Sequence, residues 1–230
     1  MISSFQKAVP LIAKTYTCSL LGIDALLVEV EVDLSPGLPY FATVGLPDNI
    51  VRESKDRVKT ALQNSGYPFP MERITVNLAP AHLKKEGAGF DLPIAVGILA
   101  AMGLLDRQMV EQVILVGELS LDGRVKPVTG CLPMAIHAQK SGYGQMLLPF
   151  DNALEAAVAD DLSVLPVKHL AEVVGFFNGT QAITPVRLDR EEIWNAQHTE
   201  GMDFEEVKGQ EQTKRGLEVA AAGGHNVLTL

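Results

Sequence analysis

Between Leu92 and Met102 the chain reads Leu-Pro-Ile-Ala-Val-Gly-Ile-Leu-Ala-Ala-Met, with no polar side chain at any position. A helix of this composition is apolar on every face, so it has no surface to offer water and must be covered all round. It is also too short to cross a bilayer, which takes about 20 apolar residues. The segment therefore predicts a helix at the centre of a globular core, with the rest of the chain supplying the layers around it. The 230 residues, 47% hydrophobic and 20% charged, suffice for one sizeable core or two modest ones and exclude disorder, collagen and coiled coil.

The covering layers read as strands and amphipathic helices. From Ala13 to Val44 three strands are expected, around Thr15–Thr17, over Leu26–Leu34 and over Tyr40–Val44. The middle one alternates, so Val28, Val30 and Val32 face a core while Glu29, Glu31 and Asp33 face water, which is the mark of a sheet covered on one side. Asp48 is placed to cap a helix running to Asn64, with Val51, Val58, Ala61 and Leu62 on its inner stripe and Gly66 ending it. A strand Arg73–Leu78 follows, and Asp91 stands where it would cap the apolar helix. Val113–Leu121 and Val125–Val128 flank Asp122-Gly123, a hairpin signal. A helix Cys131–Lys140, a strand Gln145–Leu148, a helix Asn152–Ala159, a strand Ser163–Val167 and a helix His169–Phe177 complete a mixed α/β (α+β) order of elements. The domain expected from this pattern covers residues 1–178.

From Asn178-Gly179-Thr180 onward the texture changes: the chain is polar, aperiodic and interrupted by Pro185, so residues 179–202 read as a linker. Residues 203–230 then form a third region. It holds a helix with Leu217, Ala220 and Ala221 on one face, a Gly223-Gly224 stop, and an apolar strand Asn226–Leu230. A lone five-residue strand is not stable, so the expectation is a fragment that stops inside a longer fold.

The net charge of −9 argues against nucleic acid wrapping the whole surface, so any such contact has to be local. Cys18 and Cys131 stand far apart without CxxC spacing, which fits a reducing cytoplasm and neither a disulfide framework nor a zinc site. The first thirty residues lack a basic stretch followed by an apolar one, so neither export nor a membrane partner is expected.

Few residues carry a chemical signal. The loop Lys84–Asp91 joins a strand to the buried helix, a place where backbone amides could hold an anion or a reacting carbonyl. Asp91 at the cap would already satisfy those amides and repel a phosphate, so the loop reads as a capped turn with glycines at special φ. Ser3, Ser4 and Ser19 have no base near them in sequence. Cys131, opening a helix beside Gly130, is a candidate thiol nucleophile whose alternative is a buried filler. His82, His137, His169, His198 and His225 show no i, i+4 pair and no ligand spacing, so no metal site is expected. Lys55, Arg57 and Lys59 could meet a nucleic-acid backbone, but Glu53 and Asp56 among them make a solvated helix face the plainer reading.

Four motifs in order, Val44-Gly45-Leu46-Pro47-Asp48, Ile74-Thr75-Val76-Asn77-Leu78-Ala79-Pro80-Ala81, Gly89-Phe90-Asp91-Leu92-Pro93-Ile94-Ala95 and Val116-Gly117-Glu118-Leu119-Ser120-Leu121-Asp122-Gly123, resemble the amino-terminal part of the ComM/YifB proteins, magnesium-chelatase-like AAA+ ATPases. The resemblance covers essentially the whole chain. It implies a first domain with the fold of the Lon protease catalytic domain, followed by the start of an ATPase module that assembles as a hexamer. Val207-Lys208-Gly209-Gln210 resembles the box flanking adenine, which assigns Val207, Gly209 and Gln210 to the nucleotide. Gly224-His225-Asn226-Val227-Leu228 resembles the strand that leads into the phosphate loop. For the intact protein the resemblance implies ATP and Mg2+ as cofactors, DNA as partner, and branch migration during natural transformation.

No G-x-x-x-x-G-K-[ST] occurs in these residues, so this chain by itself is not expected to bind or hydrolyse ATP. Aligning loop to loop and hairpin to hairpin also puts Gly89 where a Lon-type protease has its Ser and Leu132 where it has its Lys. Lys126, on the hairpin strand, is a poor substitute for that base. No catalytic residue is therefore expected, because a glycine has no nucleophile and a leucine no proton to exchange. The competing readings are a magnesium-chelatase ATPase subunit, a Lon-like peptidase, and a purely structural docking domain.

Overall fold

The computed structural model describes residues 12–188 and 207–227. The chain divides into two compact units, 1–188 and 189–230. In the first, β1 (Ile12–Leu21), β2 (Asp24–Ser35), β3 (Tyr40–Val44), β4 (Arg73–Ala79), β5 (Val113–Leu115), β8 (Gln145–Pro149) and β9 (Ser163–Val167) form one sheet in the order β3-β4-β2-β1-β5-β8-β9. All neighbours pair in parallel except β2, which runs against both β1 and β4. A short hairpin of β6 (Glu118–Leu119) and β7 (Val125–Lys126) stands beside it.

The sequence explains which faces are covered. Met146, Leu147 and Leu148 on β8 and Val113, Ile114 and Leu115 on β5 are all buried, as parallel strands with helices on both sides require. On β2, beyond Ala25 near its start, the buried residues are Val28, Val30, Val32 and Leu34. Its other face carries Glu29 and Glu31, both paired with Lys14, while Glu31 also accepts from Asn77 Nδ2. The half-covered sheet expected from the alternation is therefore found there.

Helices α1 (Asn49–Asn64) and α2 (Asp91–Ala101) lie on the covered face of β2. Every residue of α2 is buried, and each large aliphatic side chain contributes about 1.5–3 kcal/mol by leaving water. Gly97 lets α2 approach the sheet: a Cβ there would lie 2.7 Å from Val32 Cγ2. The opposite face of β1, β5 and β8 carries α4 (Cys131–Lys140) and α5 (Ala153–Ala156), with α3 (Arg107–Val110) and α6 (Leu170–Phe177) completing the unit.

Four sequence expectations change. The strand expected over Val113–Leu121 is two strands, because Gly117 turns from the sheet to bind the loop before α2: Gly117 N donates to Gly89 O and Leu92 N to Gly117 O, each at 3.0 Å. The helix expected over Asn152–Ala159 shrinks to Ala153–Ala156, preceded by a tight turn over Phe150–Asn152. Asp91 does not cap α2: Phe90 holds the cap position and no side chain bonds there. Residues 179–188, read as linker, belong to the first unit, where Val186 N donates to Val164 O at 2.9 Å.

In the second unit α7 (Glu211–Gly223) ends at Gly224, whose φ of 64° is the left-handed turn expected of the glycine pair. Of the expected strand Asn226–Leu230, residues 228–230 lie outside the described residues, and Asn226 and Val227 are not in a strand.

Candidate functional site at the carboxyl edge of the sheet

Strands β1, β3, β4 and β5 point the same way, and the segments leaving their carboxyl ends converge, the usual position of a ligand site in a parallel sheet. Cys18 and Leu20 come from the end of β1, Asp48 and Ile50 follow β3, Glu86–Phe90 follow β4, and Glu118 follows β5. With Pro127, Val128, Thr129 and Met134 they enclose a cleft of about 420 Å3.

The loop over this cleft is fixed at both ends. Asp48 Oδ1 accepts from Val51 N at 2.8 Å as the expected cap of α1, and its Oδ2 accepts from Gly87 N at 3.3 Å. Asp48 N and Lys85 O, and Lys85 N and Leu46 O, bond the two incoming segments to each other. Leu46 takes a φ of 61° between them, an uncommon conformation for a leucine. Lys84 pairs with Glu86. Lys85 is fully buried, its Nζ donating to Pro80 O and Leu83 O, and burial holds its pKa below the usual lysine value.

Asp91 is the largest departure from the sequence reading. It is fully buried, and Arg57 grips it with two bonds, Nε to Oδ2 at 2.7 Å and Nη2 to Oδ1 at 3.0 Å, while Leu119 N donates to Oδ2 at 3.2 Å. Burial pushes its carboxyl up to about 6 against the pull of the Arg57 guanidinium. This ion pair ties α1, α2 and β6 together under the cleft, so Asp91 is unavailable to the loop amides and Arg57 is unavailable to a nucleic acid. The signal in the sequence was Asp91 itself: a carboxylate opening a helix buried on all sides needs a cation.

Gly89 lines the cleft at the place aligned with a protease Ser, and a Cβ there would meet only Val116 Cγ1 and Val128 Cγ1, each at 3.7 Å. Leu132 is half-buried on α4 and is not among the residues lining the cleft; its backbone N donates to Glu155 Oε1 at 3.0 Å. Lys126 is exposed and opens onto a different pocket. Cys131 is fully buried, its thiol pushed up to about 12 by burial and by the Glu155 charge, and Cys18 on the cleft wall is pushed as high by burial. Neither forms a thiolate near neutral pH, so the filler reading of Cys131 holds. His169 caps α6, its Nδ1 accepting from Ala171 N. Among the described residues no three of His, Cys, Asp and Glu gather as metal ligands, and His198 lies outside those residues. No helix there is long and apolar enough to cross a membrane.

Val207, Gly209 and Gln210 precede α7 in the second unit. Val207 is exposed, and φ values of 75° at Gly209 and 56° at Gln210 turn the chain into the helix. These residues offer an apolar side chain and a turn but no set of phosphate or Mg2+ ligands, so they fit at most the edge of an adenine.

Comparison with known proteins agrees with this architecture. The family described as subunit ChlI of Mg-chelatase matches residues 30–152, just over half of the chain, and the family described as magnesium chelatase, subunit ChlI, matches residues 203–230. The competence protein ComM of Haemophilus influenzae is 42% identical over 220 residues, 95% of this chain and 43% of that protein. The protein YifB of Escherichia coli is 42% identical over 215 residues, 94% of this chain and 42% of that protein. Lon protease 1 of Bacillus subtilis is 25% identical over 158 residues, 64% of this chain and 20% of that protease. The chain thus spans about two fifths of the length of the ComM and YifB relatives, and the distant Lon likeness fits the mixed α/β fold with its mostly parallel sheet. From the matched families and the extent of these identities, the chain belongs to the ComM/YifB family of magnesium-chelatase-like AAA+ proteins.

Proposed function

We propose that residues 12–188 are a Lon-like domain that has kept a substrate-shaped cleft and lost its hydrolytic pair, serving assembly or substrate contact in a longer DNA-handling ATPase. The observation that carries this reading is Gly89 on the cleft wall with Leu132 outside the cleft. A cleft lacking both the Ser and the Lys of that pair can bind but cannot form an acyl-enzyme by a Ser-Lys mechanism. The buried, unreactive thiols of Cys18 and Cys131 support the same conclusion.

In the whole protein the second unit opens the ATPase module. Val207, Gly209 and Gln210 flank the adenine, and ATP phosphates and Mg2+ are held by residues outside this chain. The protein works in the cytoplasm as a hexamer that drives branch migration of DNA strands during natural transformation; the name of the Haemophilus relative, a competence protein, supports the link to transformation. The test is a longer protein carrying a phosphate-binding loop. DNA-stimulated ATP hydrolysis and migration of a synthetic four-way junction are expected, both absent from the 230-residue chain. ATP hydrolysis indifferent to DNA would defeat the reading. A magnesium-chelatase subunit is the second reading, favoured by the descriptions of both matching families; it predicts magnesium-chelatase activity in place of junction migration.

A further inference from the structure

A second concavity lies at the same carboxyl edge of the sheet, on the other side of Pro127, and its chemistry is opposite to that of the cleft. Phe150 and Asp151 follow β8, Lys168 follows β9, and Arg124, Val125 and Lys126 come from the hairpin; with Pro127 they enclose about 360 Å3. Phe150 is 50% exposed, and Lys168 Nζ stands 4.0 Å from its ring centroid. Arg124 is paired through Nε with Asp122 at 2.7 Å. Lys126 and Lys168 have no carboxylate within ion-pair distance among the described residues, and Asp151 is the one carboxylate lining the pocket. The walls are fixed: Val125 N donates to Lys168 O at 2.9 Å, Leu170 N to Gly123 O at 2.8 Å, and His169 Nε2 lies 2.9 Å from Asp122 O. Little ordering remains to be done on binding.

An exposed aromatic ring with the Lys168 ammonium over one face and Lys126 lining the same pocket, neither lysine held by a carboxylate among the described residues, in a chain of net charge −9, marks a local site for a ligand with alternating π-faces and phosphates. The α1 face is a poorer candidate, since Arg57 is held by Asp91 and the remaining lysines of that helix stand among Glu53 and Asp56. We propose that the Phe150, Lys126 and Lys168 pocket is a contact site for single-stranded nucleic acid. A base stacks on the face of Phe150 that Lys168 does not cover, and the two lysines hold the adjoining phosphates. The proposal deepens the DNA-handling function and rests on it for the polymer this protein meets.

The test is fluorescence anisotropy of the 230-residue chain with a labelled oligothymidylate of about fifteen nucleotides, a length near the upper site size of such grooves, with inorganic polyphosphate as competitor. Lys126→Glu with Lys168→Glu should weaken binding at least about tenfold and flatten its salt dependence. Phe150→Ala should weaken it about tenfold, whereas Phe150→Tyr, which keeps the ring, should bind as the parent chain does. Lys55→Glu with Lys59→Glu, the same charge change on α1, should have less than about a twofold effect. Equal weakening by the α1 pair, no effect of Phe150→Ala, or full competition by polyphosphate would overturn the proposal. If the pocket variants leave DNA-stimulated hydrolysis by the longer protein unchanged, this site fails while the motor reading stands. Absence of any DNA stimulation defeats that reading instead.

Discussion

Gly89 and Gly97 lie on one continuous segment, yet they answer opposite demands. On the loop, a Cβ at Gly89 would meet two valine methyl groups at 3.7 Å, an ordinary contact; on α2, a Cβ at Gly97 would press to 2.7 Å from Val32. The helix needs its glycine so that it can lie close against the sheet. The loop has room for a larger residue and carries none, so packing does not demand the glycine at Gly89 as it does at Gly97. The Arg57–Asp91 pair joins the two halves, opening the helix below the loop.

The largest effect should come from breaking that junction. Asp91→Ala strands Arg57 without its partner and leaves Leu119 N unbonded, and urea unfolding should show a loss of about 3–5 kcal/mol. A loss below about 1 kcal/mol would mean the pair does not hold the halves together.

The same carboxyl should impose a pH dependence on folding. Its pKa is raised to about 6 from an ordinary 3.8, so the folded chain holds the proton more tightly than the unfolded one. The stability it contributes is fully present below about pH 4 and is lost as pH rises through about 6, a change on the order of 2 kcal/mol. Asp91→Asn removes the titration, so the parent chain should lose stability relative to this variant between pH 4 and pH 7. A constant difference across that range would mean that burial does not outweigh the pull of the Arg57 guanidinium on this carboxyl.

Substitutions at the two glycines compare the halves directly. Gly97→Ala should cost about 1–2 kcal/mol by overpacking against Val32, even though Ala favours a helix by about 1 kcal/mol. Gly89→Ser should change stability by less than about 0.5 kcal/mol. Equal costs at both positions would erase the distinction between a packed helix and a roomy loop.

Much of this fold was legible because the patterns were local. The valine and carboxylate alternation of β2 and the continuous apolar run of α2 each state their own burial, and the Asp48 cap lies within one turn of the amide it serves. What escaped depends on distant partners. Asp91 looks like a helix cap in its own neighbourhood, and only the fold brings Arg57 to it. Val116-Gly117 looks like the middle of a strand until the Gly89 loop pairs with it. Lys126 was weighed as a weak base near the hairpin, whereas the ends of β8 and β9 bring Phe150 and Lys168 to it from the far side of α4. The family resemblance singles out Gly89, which lines the cleft, and Leu132, which does not, while nothing local in the sequence points to Cys18 and Glu118 as cleft residues.

The central claim is that this cleft keeps its shape without the chemistry of a protease. The most direct measurement is cleavage of a fluorescein-labelled unfolded protein by the purified 230-residue chain, followed over many hours with and without ATP. No hydrolysis is expected under either condition. Reproducible cleavage that is abolished by a single substitution between Lys84 and Asp91 would contradict the claim and restore the cleft as an active site.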